Sequence, residues 1–142
     1  PKHMAYELMS FVQTDYSELE WTKLQKVPLI IHYNGFMNGE VINTTGGEID
    51  IFPTIANLMG VDAPYALGKD LINTEKGYVI LRNGSIITDE YVYLNNSREM
   101  YDIKTGKSLD KNKYRNEIIS MLNELNISDL IIEKDFFSSI NE

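Results

Sequence analysis

Apolar residues at Met4, Leu8, Phe11 and Val12 recur at helical spacing and predict an amphipathic helix over Lys2 to Gln13. A polar stretch, Thr14 to Glu20, follows, and Trp21 and Leu24 lead into Val27-Pro28-Leu29-Ile30-Ile31. That continuous branched run has no polar alternation, as expected of a strand covered on both faces, with Pro28 near its start. Asn34 to Gly47 carries four glycines and reads as a long loop with a short extended segment at Val41-Ile42. Asp50 then stands ahead of Ile51 to Met59, with Pro53 in the first turn and Gly60 at the stop. A carboxylate can cap the first amides, proline costs no donor there, and glycine suits a left-handed end.

Beyond Asn73 the period shortens to two. Tyr78 to Leu81 and Ser85 to Thr88 flank Asn83-Gly84, predicting a hairpin on a two-residue turn, and Tyr91 to Leu94 with Arg98 to Ile103 predict a second pair. The four strands read as an antiparallel meander. Lys111 to Asn126 sets Tyr114, Ile118, Ile119, Met121, Leu122 and Leu125 on one broad face suited to cover that sheet. Ser128 is expected to cap a last short helix through Phe137. The predicted class is α/β, becoming α+β in the C-terminal half.

At 142 residues the chain is long enough for one ordinary domain, and 43% hydrophobic with 24% charged residues fits a folded chain. The net charge of −8 repels phosphate backbones and anionic lipid heads, so nucleic acid is not an expected partner. No apolar run approaches the ~20 residues of a spanning helix. Cysteine is absent and His3 and His32 are the two histidines, so neither a thiolate site nor a multi-histidine metal site can be assembled from this chain. His32 reads as a structural residue and Asp50, despite its neighbour Glu48, as a cap. Thr44 and Thr45 lack a readable base. Gly106-Lys107-Ser108 lacks the first glycine of a phosphate loop, since Tyr101 stands there, and reads as a hairpin end. Tyr91, Tyr93 and Tyr101 read as one packed aromatic face. The residues alone yield no catalytic set.

Two segments carry a resemblance. Lys26-Val27-Pro28-Leu29-Ile30-Ile31-His32, followed by Gly47-Glu48-Ile49-Asp50-Ile51-Phe52-Pro53-Thr54 and on to Gly60-Val61, is similar to the "VPLIIH … G…ID…PT…LAGI" pattern of the sulfatase and phosphoglycerol-transferase branch of the alkaline phosphatase superfamily. Tyr91-Val92-Tyr93-Leu94 with Glu99-Met100-Tyr101-Asp102-Ile103 resembles the branch's "KYIY … ELYDL" hairpin. Arg82-Asn83-Gly84-Ser85-Ile86-Ile87-Thr88 is similar to the "RNGDFIT" segment of lipoteichoic acid synthase-like enzymes.

The resemblance implies a membrane-anchored parent whose extracellular domain uses a threonine nucleophile and a divalent metal, commonly manganese, to transfer glycerol phosphate from phosphatidylglycerol. It also implies that this chain is the C-terminal, non-catalytic part. The family's nucleophile and metal ligands precede its "VPLII" strand and match nothing here, so no catalytic or metal residue is expected in the chain. Pro1-Lys2-His3 would follow the family's "GDH" metal motif, which leaves His3 as the one candidate contributor to a substrate site. Asp50, Pro53 and Gly60 are expected to be structural. The implied division is residues 1–75, a strand and helix belonging to a large mixed sheet of the catalytic core, and 76–142, a small four-stranded antiparallel subdomain covered by a helix. The expected partners are the missing N-terminal catalytic part and, through it, phosphatidylglycerol or a glycopolymer. Two alternatives stand beside this: a fragment of an aryl- or carbohydrate sulfatase, and a stand-alone binding module that kept the scaffold and lost the chemistry.

Overall fold

The computed structural model of the chain describes residues 2–34 and 38–138. Pro1 and part of the glycine-bearing loop predicted from Asn34 to Gly47 lie outside them. The chain divides into two compact units, 1–41 and 42–142.

In the second unit, period-two segments pair as the sequence predicts. Strands β1 (Tyr78–Ile80), β2 (Ile86–Thr88), β3 (Tyr91–Leu94) and β4 (Glu99–Asp102) form one antiparallel sheet in chain order. Ile86 lies opposite Tyr93, and Tyr93 opposite Met100, so these side chains share a face. With Tyr91 they form the core.

The first hairpin closes differently from the expected two-residue turn. Leu81 receives a hydrogen bond from Gly84 N at 2.8 Å and its own N–H donates to Ser85 O at 2.8 Å, leaving a three-residue loop. Gly84 has φ +81°, while Asn83 keeps φ negative, so glycine alone supplies the left-handed bulge. Tyr101 also departs from expectation. It pairs with Val92 rather than Tyr91, so the pleat turns it to the sheet face opposite Tyr91 and Tyr93.

A 3₁₀ turn (Lys111–Tyr114) leads into α4, Arg115–Glu133. Ile118 and Met121 are buried against the core, with Tyr114 and Leu122 packed beside them, while Ile119 is exposed. The expected break at Ser128 is absent. No glycine or proline lies between Arg115 and Glu133, so nothing stops the helix until Asp135 takes a left-handed φ of +48°.

A second 3₁₀ turn, Glu48–Asp50, opens α3 (Ile51–Leu58). Pro53 sits in its first turn. Gly60, with φ +66°, ends it, and Val61 N bonds back to Ala56 O at 2.9 Å as in a glycine-stopped helix.

The first unit holds α1 (Lys2–Phe11) and an unpredicted α2 (Glu18–Leu24). The signal for α2 was present in Ser17, whose hydroxyl accepts a hydrogen bond from Glu20 N at 3.0 Å. In α1 the buried residues are Ala5 and Met9, whereas the predicted apolar face, Met4, Leu8, Phe11 and Val12, is exposed. Residues 27–31 form no strand and are exposed, Val27 at 79% and Ile30 at 85%. A ladder needs a neighbour, and among the described residues none pairs with this segment. Val41-Ile42 likewise forms no strand.

Candidate functional site

Long-range hydrogen bonds tie the loops of residues 44–77 to one another and to Asp89, just after β2. Asp50 is fully buried. Its carboxylate does not cap α3, as the sequence suggested. Oδ2 instead accepts from Gly47 N at 2.8 Å and Oδ1 from Lys69 N at 2.7 Å. Two amides from different loops thus share one carboxylate, which satisfies a charge that would otherwise be costly to bury.

Thr54 continues the joint. Its hydroxyl donates to Asp50 O at 2.6 Å and accepts from Leu71 N at 3.0 Å. Asp89 repeats the device, accepting from Thr45 N at 2.6 Å and Gly77 N at 2.7 Å. Gly77 is needed there because a Cβ would stand 2.3 Å from Thr45 O. Each carboxylate is therefore a clamp between loops and not a free base.

Lys69 Nζ lies 3.2 Å from the centre of the Tyr78 ring, a cation–π contact, and the Tyr78 hydroxyl donates to Glu124 at 2.6 Å. Burial holds Lys69 below the ordinary lysine range, against the opposing pull of Asp50 and Glu124. Burial, and then the bond to Glu124, hold Tyr78 well above the ordinary tyrosine range. Tyr91 is shifted upward in the same direction, by burial first and the Glu117 carboxylate second. A hollow of about 210 Å³ beside Tyr91 and Tyr114 includes Asp89 and Asp102, both already engaged by backbone amides.

The residues singled out in the sequence do not converge. His3 is exposed on α1, and His32 is exposed in an irregular segment. Glu48 is exposed while Asp50 is buried, which separates that acidic pair. Gly106-Lys107-Ser108 closes the turn after β4, with Asp102 N donating to Lys107 O at 2.9 Å. Pro53 and Gly60 serve the helix they bound. Asp89, Lys69 and Gly77 were missed, because a clamp between distant loops leaves no local spacing to read. Among the described residues no three His, Cys, Asp or Glu side chains are placed together to hold a metal ion. None of the described helices is long and apolar enough to cross a membrane.

Comparison with known proteins supplies what the geometry does not. Lipoteichoic acid synthase 2 of Bacillus subtilis is 39% identical over 138 residues, covering 94% of this chain and 20% of its own length. The chain belongs with the lipoteichoic acid synthase-like proteins. Lipoteichoic acid synthase-like YvgJ of B. subtilis is 37% identical over 119 residues, 80% of this chain and 19% of its own length. The lipoteichoic acid synthase of Staphylococcus aureus strain USA300 is 30% identical over 106 residues, 70% of this chain and 16% of its own. The chain thus spans about a fifth of the length of these synthases. No protein-family model matches it.

Proposed function

We propose that the chain is the C-terminal, non-catalytic scaffold of a lipoteichoic acid synthase-like phosphoglycerol transferase of the alkaline phosphatase superfamily. The parent's catalytic domain would lie on the outer face of the cell membrane and draw glycerol phosphate from phosphatidylglycerol with the help of a divalent metal. The observation that carries this reading is the 39% identity to lipoteichoic acid synthase 2 over nearly the whole chain, which occupies only 20% of that enzyme. The interior of the second unit supports it, because Asp50, Thr54 and Asp89 are consumed in fastening loops to one another.

In this reading Val27 to Ile31, which pairs with none of the described residues, joins the central sheet of the parent, and α3 covers one face of that sheet. The sheet β1 to β4 with α4 forms the smaller subdomain beside it. The metal ligands and the nucleophile then belong to the part of the parent outside this segment, and His3 is the one residue of the chain placed near the substrate.

The test has two arms. The purified 142-residue chain, supplied with manganese and phosphatidylglycerol, is expected to release no diacylglycerol above the protein-free rate. Grafted in place of the matching segment of lipoteichoic acid synthase 2, it is expected to retain polymerising activity. Turnover by the isolated chain, or a folded chimera with no activity, would overturn the proposal.

A further inference from the structure

The tip of the β1–β2 hairpin holds a reactive pair, Asn83-Gly84, inside a closed turn. Asparagine amides are among the chemically labile groups of a protein. A following glycine, with no Cβ to crowd the approach, lets its own backbone nitrogen reach the side-chain carbon. Asn83 is exposed, and three hydrogen bonds hold the pair in place. Gly84 N donates to Leu81 O at 2.8 Å, Ser85 N to Asn83 Oδ1 at 2.9 Å, and Asn95 Nδ2 to Asn83 O at 2.8 Å. All of these residues belong to the second unit.

We propose that Asn83 is a modification site that loses its amide to water when the hairpin opens, and whose isoaspartyl product keeps the hairpin from closing again. Gly84 N gives up its proton and attacks Asn83 Cγ. The N–Cγ bond forms, the Cγ–Nδ2 bond breaks, Nδ2 leaves with a proton as ammonia, and a cyclic imide remains. Water then opens the imide at Cγ to give aspartate, or at the main-chain carbonyl to give isoaspartate. In the closed hairpin the first step is blocked, because Leu81 O holds the proton of the attacking nitrogen and Ser85 N holds the amide oxygen. The frequency of local opening therefore sets the rate. The two products differ in consequence. Aspartate keeps an oxygen for Ser85 N and adds one negative charge to the net −8. Isoaspartate carries the main chain through Cγ and lengthens it by one carbon inside the loop. Space for that is lacking, since even a Cβ on Gly84 would stand 2.8 Å from Asn95 Nδ2. This chemistry is independent of the scaffold reading.

The test holds the full chain at mildly alkaline pH, in buffer or unfolded in guanidinium chloride, and follows Asn83 by mass spectrometry of the tryptic peptide 83–98 and by an isoaspartyl assay. A synthetic peptide of residues 81–87 in both solvents corrects for the solvent itself. After that correction, loss at Asn83 is expected to be at least about tenfold slower in the folded chain. Equal rates would overturn the gating, and no loss in the unfolded chain would overturn the site. Asn95→Ala, which removes the bond to Asn83 O and the side chain packed against Gly84, is expected to speed loss at least about threefold in the folded state. An unchanged rate in that variant, folded, would count against the proposal and overturn it; if the variant does not fold, the native and unfolded comparison decides. The isoaspartyl chain, separated by ion exchange, is expected to lose hydrogen-exchange protection at Leu81 and Gly84, whereas Asn83→Asp keeps it. Protection retained in the isoaspartyl chain would overturn the claim that the product holds the hairpin open.

Discussion

Asp50 shows how far one side chain can organise a fold. Buried completely, it holds Gly47 and Lys69 through charge-assisted bonds, and its carbonyl anchors Thr54. Asp50→Ala leaves two amides without their acceptor and is expected to cost on the order of 3 kcal/mol, measured by urea unfolding. Asp50→Asn keeps the shape but turns an NH2 donor toward one of the two amides, so it too is expected to destabilise, with one acceptor retained. Tyr78 gives a pH signature. Its raised ionisation means that the folded state keeps the proton, so its contribution is complete below pH 10.0 and fades as pH climbs beyond it. Tyr78→Phe should therefore leave the phenolate absorbance gained near pH 10 unchanged and flatten the alkaline loss of stability. Neither role was legible in the sequence. Asp50 looked like a cap because the nearest amides belong to α3, and the real partner, Lys69, lies nineteen residues away.

At the scale of elements, the readable parts are those built from neighbours in sequence. The meander follows from alternating Tyr, Val and Ile around turn residues, and α4 follows from its 3.6-residue period. The errors were of phase and extent. The spacing puts Ile119 and Tyr101 on packed faces, but the helix turns Ile119 outward and the register turns Tyr101 away, and Ser128 starts no new helix because no stop precedes it. Ile86, with no exposed surface, lies opposite Tyr93 in the centre of the sheet. Ile86→Ala should cost about 2–5 kcal/mol, against less than about 0.5 kcal/mol for Ile119→Ala on the outer side of α4. Thermal unfolding of the two variants side by side checks the assignment.

For the whole molecule, the distribution of apolar surface matters more than any single contact. Val27, Ile30, Phe11 and Met4 are all more than half exposed in a chain that is only 43% hydrophobic. Large apolar residues gathered in one short stretch and left in water mark an interface or an aggregation hazard. The isolated chain is therefore expected to bind a hydrophobic dye and to lose solubility with rising concentration. Val27→Asp with Ile30→Asp should reduce both effects without lowering the unfolding temperature, because neither side chain is part of the described core.

The sequence by itself determined which residues seek burial, where the hairpins turn, where α3 stops, and the kinship with lipoteichoic acid synthases. Those features rest on local spacing, on backbone preferences of glycine and proline, and on residue identity. Only the tertiary structure decided which apolar faces are covered, which carboxylates are clamps, and that Val27 to Ile31 stands without a strand beside it. Burial and desolvation depend on neighbours distant in the chain, and for residues 27–31 no such neighbour lies among the described residues.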